Sequence, residues 1–175
     1  MAGLAMSRVE REAFLSAVRV GVISIAEEGR GPLTVPIWYG YEPGAELWIV
    51  TERDSRKGKL LLLADRFSLC AQTETPPYQY VSVEGPIVAL ERADLERHTR
   101  VLAHRYLGVE GGDAYVKATG AGDESDTSIV VRMRPARWLT FSVAVPPAPT
   151  FSCPMTPETL DPARERALLL TLAGI

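Results

Sequence analysis

Apolar side chains stand at every second position in Leu33, Val35, Ile37, Tyr39 and Tyr41, with Thr34, Pro36, Trp38 and Gly40 between them. A period of two is the pitch of a strand that buries one face. Pro36 has no N–H to give a ladder, so the strand is expected to carry an edge or a bulge there. Glu42-Pro43-Gly44 supplies turn chemistry, and residues 45–51 return as a second strand, completing a hairpin. The middle of the chain is thereby committed to antiparallel pairing.

The flanking segments fit around that hairpin. Ser7 and Glu10 form a capping-box pattern that opens a helix, with Met6, Val9, Ala13 and Ala17 on one face and Phe14 and Val18 beside it. Val20, Val22 and Ile25 lie in a short β-rich run that ends in the turn at residues 27–31. A helix is predicted over 55–64 and strands over 67–73 and 78–90. Gly85-Pro86 marks a bulge in the longer strand. Asp94 caps a helix running to Leu107 with Gly108 as its left-handed stop, and Gly111-Gly112-Asp113 starts a further short helix. Strands over 128–133 and 138–143 follow. Residues 145–149 are a stiff proline-rich linker, and Asp161-Pro162 begins a last amphipathic helix. The expected plan is one domain over 1–145 and a linker with a helix over 146–175. Strands and helices do not alternate strictly, which favours an α+β antiparallel barrel over a doubly wound parallel sheet.

Composition narrows the function. At 175 residues, 46% apolar and net charge −3, the chain suits one ordinary soluble core, with no basic block for nucleic acid. Its apolar runs are interrupted far short of the ~20 residues a membrane span needs. The amino-terminal segment lacks a secretory pattern, and the two cysteines, Cys70 and Cys153, form no CxxC pair. A reduced, cytoplasmic protein is expected.

The segment richest in chemistry is Val50-Thr-Glu-Arg-Asp-Ser-Arg-Lys-Gly-Lys59, placed where a strand ends and a helix starts. A helix start offers unpaired N–H groups and the positive end of the macrodipole, which favour an anion. Arg56, Lys57 and Lys59 crowd that same end, where cations are locally unfavourable. A bound phosphate resolves the conflict, with Ser55 as a further donor and Gly58 allowing close approach. Spacing alone leaves a solvated basic helix start as an equal alternative.

Thr51-x-x-x-Ser55-Arg56-Lys57-Gly58 resembles the phosphate-binding signature of the pyridoxamine 5'-phosphate oxidase family. Tyr80-Val-Ser-Val-Glu-Gly85 is similar to that family's strand ending in a glycine before the barrel closes. The resemblance covers roughly residues 7–141. It implies a six-stranded antiparallel split β-barrel with flanking helices that binds FMN between the two subunits of a homodimer. It further implies that Val50 and Thr51 contact the flavin, that Arg56 and Lys57 pair with its phosphate near Ser55, and that Pro36, Ile37 and Trp38 lie along the ring. Tyr80 stands where the family often has a ring-contacting glutamine. The implied activity is that of an oxidoreductase moving hydride to or from a small organic substrate. Related proteins use the deazaflavin coenzyme F-420, whose phosphate the same cluster would suit, and a flavin carrier without turnover is a further alternative.

The chain departs from the family elsewhere. The Arg-Pro and Ser-Gln substrate-phosphate motif is missing after Asp94, and Arg134-Pro-Ala-Arg-Trp138 stands in place of the arginine-rich carboxy-terminal motif. Oxidation of pyridoxine or pyridoxamine 5'-phosphate is therefore not expected. His98 and His104, six apart, do not share a face for a metal, and Cys70 reads as an inert buried thiol. Trp48 is a candidate ring-stacking residue or a core aromatic, with core the expected role, and Trp138 is a candidate to face a partner's flavin. No catalytic acid or base is assigned.

Overall fold

The computed structural model describes residues 4–123 and 126–143. The proline-rich linker, the last helix and Cys153 lie outside the described residues.

The first helix, α1 (Arg8–Ser16), starts as its sequence requires. Ser7 Oγ accepts from the Glu10 N–H at 3.3 Å, and the Glu10 carboxylate accepts from the Ser7 N–H at 2.8 Å. Its buried face differs from the expected one. Phe14 and Leu15 enter the core, whereas Val9 is 78% exposed and Ala13 is also on the surface. The two larger side chains remove more apolar area from water than Val9 and Ala13 would.

Eight strands follow, all paired antiparallel: β1 (Gly21–Ile25), β2 (Leu33–Ile37), β3 (Tyr39–Gly40), β4 (Leu47–Glu52), β5 (Arg66–Gln72), β6 (Gln79–Arg92), β7 (Ser128–Met133) and β8 (Arg137–Ser142). Their order is β2-β1-β5-β6-β7-β4-β3, with β8 joined to β6. Helix α2 (Arg56–Leu63) links β4 to β5, and a π-helical turn followed by α3 (Arg100–Thr119) links β6 to β7. The architecture is the expected α+β antiparallel split barrel.

The six expected strands become eight because the short run near Val22 is a full member of the sheet and the 33–41 strand divides at Trp38. The segment before Trp38 pairs with β1, and only Tyr39 and Gly40 pair with β4, opposite Ile49 and Trp48. The alternation survives the break, since Ile37, Tyr39 and Tyr41 are all buried. Pro36 pairs opposite Val22 without a bulge, because β2 is the edge strand of its ladder.

The long strand β6 bends the sheet into a barrel by changing partners. Residues up to Pro86 pair with β5, and those from Ile87 pair with β7, with the register irregular between Ile87 and Ala89. The bulge thus falls just beyond Gly85-Pro86. A Cβ at Gly85 would lie 1.9 Å from the Arg134 carbonyl oxygen, so this crossing admits glycine alone. Asp94 caps the next turn, accepting from the Arg97 N–H at 2.8 Å. Helix α3 is kinked at Gly108, where φ is +74°, and helix resumes beyond it.

Tyr39 ties helix to barrel. Its ring is fully buried, its hydroxyl donates to the Leu15 carbonyl at 2.9 Å, and burial pushes the phenol far up, so it stays neutral. Tyr39→Phe removes one donor and strands a buried carbonyl at the end of α1. A loss of about 1–3 kcal/mol is expected in urea unfolding.

Candidate functional site

Strand β4 ends at Glu52, and the chain turns into α2 within three residues. Ser55 is the N-cap: its hydroxyl accepts from the Gly58 N–H at 3.0 Å and donates its proton to the Glu52 carbonyl at 2.7 Å. Thr51 Oγ1 lies 3.4 Å from Ser55 Oγ. Ser55 therefore shapes the turn, and its one proton is already engaged. What the turn presents outward are the first N–H groups of α2 and the side chains of Arg56 and Lys57.

The two cations differ. Arg56 Nη2 donates to Glu27 Oε2 at 2.6 Å, across to the connection between β1 and β2. Lys57 forms no ion pair among the described residues. It is half-buried, and desolvation pushes its ammonium down, only partly offset by the carboxylate of Glu52. A half-buried cation without a partner is unfavourable unless an anion arrives.

Lys57 stands where two hollows meet. The first, about 310 Å³, is apolar, walled by Pro36, Ile37 and Trp38 on the sheet side and by Leu102 and Tyr115 on α3. The second, about 910 Å³, is more polar and runs along Thr51, Ser55 and Arg56 to Thr127 and Ser128. Pro36, Val50, Lys57, Thr99 and Tyr115 border both, so the two form one groove with an apolar end and a polar end. These volumes fall in the range of small-molecule sites, roughly 300–1,000 Å³.

The apolar end has a rigid aromatic wall. Trp38 stacks on Tyr106 with ring centroids 5.1 Å apart and planes 5° from parallel, and Tyr115 tilts against it, also at 5.1 Å. Trp38 lies at the break between β2 and β3, where the Tyr39 N–H lacks a ladder partner. The Tyr106 hydroxyl accepts that N–H at 3.2 Å and donates to the Arg19 carbonyl at 2.8 Å. Burial pushes the Tyr106 phenol up, which keeps it a neutral bridge.

Of the residues the sequence singles out, Pro36, Ile37, Trp38, Val50, Thr51, Ser55, Arg56 and Lys57 all border this groove. Tyr80 does not. It stacks on Phe141 at 5.7 Å over a different hollow, three ladder spacings from β2. At ~4.8 Å per spacing that is roughly 14 Å away. Trp138 is elsewhere too, packed against Tyr41 and beneath Arg11. Sequence reading missed Leu102, Tyr115 and the Thr127-Ser128 rim, and Tyr106, which backs Trp38. Nothing local marks them, since they come from α3 and the segment after it.

The remaining candidates are half-buried and lie outside the groove. His98 accepts from the Asp94 N–H and meets Trp48 edge-on, while His104 pairs with Asp113 at 2.8 Å. Cys70 is a free, half-buried thiol that burial pushes up. Among the described residues there is no cluster of three metal-ligating side chains, and no helix is long and apolar enough to cross a membrane.

No protein-family model matches the sequence, and neither does any curated protein. The fold is similar to that of solved structures. A conserved hypothetical protein from Mycobacterium tuberculosis aligns at TM-score 0.64 and 22% identity, over 81% of this chain and 88% of that one. A Listeria innocua protein provisionally named a pyridoxamine 5'-phosphate oxidase aligns at 0.55 and 13%, over 76% and 96%. An F-420 reductase aligns at 0.52 and 15%, over 73% and 94%. At these identities the likeness is one of fold.

Proposed function

We propose that the groove binds FMN and that the protein is a cytoplasmic flavin-dependent oxidoreductase acting on a small organic substrate. The observation that carries this reading is Lys57, a half-buried cation without an ion-pair partner among the described residues, at the junction of an apolar and a polar hollow. The isoalloxazine ring fits the apolar end along Pro36, Ile37 and Trp38, with Val50 and Thr51 beside it. The phosphate fits the polar end, at Lys57, Arg56 and the free N–H groups of α2. Bound there, the flavin supplies the hydride chemistry. The chain's own residues grip the phosphate, hold the ring between sheet and helix, and keep water from its apolar side.

A second copy completes the site in this reading. Pro36, Val22, Cys70, Ser82 and Leu139 form one row across the outer face of β2, β1, β5, β6 and β8, with Tyr80 and Phe141 in the next row. Leu139 is 63% exposed, and Val20, which borders the groove, is 51% exposed. A partner seated on this face brings its Tyr80 toward the ring. The expected result is a dimer by light scattering, and Leu139→Glu gives a monomer that binds FMN at least about tenfold more weakly. A wild-type monomer in the presence of FMN overturns the shared site.

The deazaflavin coenzyme F-420 is the second reading. The polar hollow is nearly three times the volume of the apolar one, leaving space beyond a single phosphate. Absorbance and mass of the ligand released from protein made in a host that supplies both cofactors decide between them. A tightly bound flavin that no quinone, enone or nitroaromatic reoxidises would instead mark a carrier.

A further inference from the structure

We infer that Glu27 competes with the cofactor phosphate for Arg56, so that the strength of cofactor binding is set from outside the groove. The inference rests on the phosphate reading above. Arg56 borders the polar hollow, but Glu27 does not. The carboxylate approaches from the connection between β1 and β2, where the Arg30 N–H closes a turn on the Glu27 carbonyl at 3.3 Å. The Glu27 side chain is 18% exposed against 57% for Arg56, so the carboxylate is the more shielded partner, and its bond holds the guanidinium toward the β1–β2 connection. Arg30 lies 3.8 Å away on the other side and adds little to its neutralisation.

A phosphate entering the groove thus meets two unequal cations. Lys57 has no ion-pair partner among the described residues and is partly desolvated. Arg56 already carries its countercharge at 2.6 Å. To recruit Arg56, the phosphate must either share it beside a like-charged carboxylate or displace Glu27 from a charge-assisted bond. Either route weakens binding relative to a site with a neutral residue at position 27. A cofactor held this way exchanges more readily than one gripped by both cations. Glu27 is a positioning residue, acting on the ligand only through Arg56.

The test uses FMN and riboflavin, which differ by the phosphate alone, titrated into the full-length protein and into Glu27→Gln, Arg56→Ala and the double variant. Glu27→Gln is expected to tighten FMN about tenfold, equivalent to about 1.4 kcal/mol, and to leave riboflavin unchanged. In the Arg56→Ala background the same substitution should shift FMN affinity less than twofold. With Arg56 largely in solvent the pair contributes little to folding, so all melting temperatures should agree within a few degrees. If wild type prefers FMN over riboflavin but Glu27→Gln weakens or does not alter FMN binding, the competition is overturned and the phosphate reading stands. If wild type binds both flavins equally, or neither, the phosphate reading falls and this inference with it.

Discussion

Gly58→Ala is expected to cost at least about 3 kcal/mol of stability and to abolish cofactor binding, even though alanine is the better helix former. Gly58 is the third residue of α2, and on propensity alone the change should gain ~1 kcal/mol. Geometry reverses the sign. A Cβ there would sit 2.2 Å from the Glu52 carbonyl oxygen and 2.6 Å from that of Arg53. Both obstacles are backbone, and Glu52 also receives the Ser55 hydroxyl, so neither can yield without opening the turn. Relief requires α2 to lift from the end of β4, which scatters the N–H groups and cations of the groove's polar end. Urea unfolding should show a lower midpoint with an unchanged slope. Gly31→Ala is the control: nothing lies within 4 Å of its Cβ, and stability should change by less than about 0.5 kcal/mol. Equal stability of Gly58→Ala and wild type would overturn this account of the turn.

Lys57→Ala is expected to weaken FMN binding roughly ten- to a hundredfold, matching a charge-assisted hydrogen bond of about 1.5–3 kcal/mol. The unliganded protein should be no less stable, because the substitution removes a desolvated ammonium that has no ion-pair partner among the described residues. The signs follow from linkage. Burial holds the Lys57 ammonium below its ordinary value, so the folded chain releases that proton more readily than the unfolded chain. Its contribution to stability therefore rises with pH across the alkaline window between those two values. Bound phosphate reverses the direction, since its charge pulls the ammonium back up. Wild-type affinity should then decline as pH climbs through the depressed value in the free protein. Lys57→Arg should bind without that decline. Thermal melts without ligand and titrations with FMN across the alkaline range check all three statements. Binding that is indifferent to Lys57 would move the phosphate elsewhere.

These two positions are neighbours in sequence, and their local structure is legible there. Ser55 as N-cap, the helix start at Arg56, the capping box at Ser7 and Glu10, and the chain reversal before Lys57 all depend on contacts three or four residues apart. So does the kink at Gly108, where the sequence suggests a stop but helix resumes. Patterns of that range are written in the chain itself, and so is the alternation that turns Ile37, Tyr39 and Tyr41 inward across a broken strand. A period of two states which face is buried but not which strand lies alongside. The partner is chosen by the whole sheet, so the apparent hairpin at 33–51 hands its first arm to β1 and keeps only Tyr39 and Gly40 for β4. The same limit applies at the groove. Residues 36–38 and 50–57 carry its visible chemistry, but their meeting depends on the curl of the barrel. The opposite wall of Leu102 and Tyr115, and Tyr106 behind Trp38, arrive on a helix some fifty residues further on, where aromatic and aliphatic side chains read as ordinary packing. The pairing of Arg56 with Glu27, 29 residues away, and the separation of Tyr80 from the groove are likewise matters of tertiary placement. Charge and side-chain type are local properties, whereas which charge neutralises which is decided only when the sheet closes.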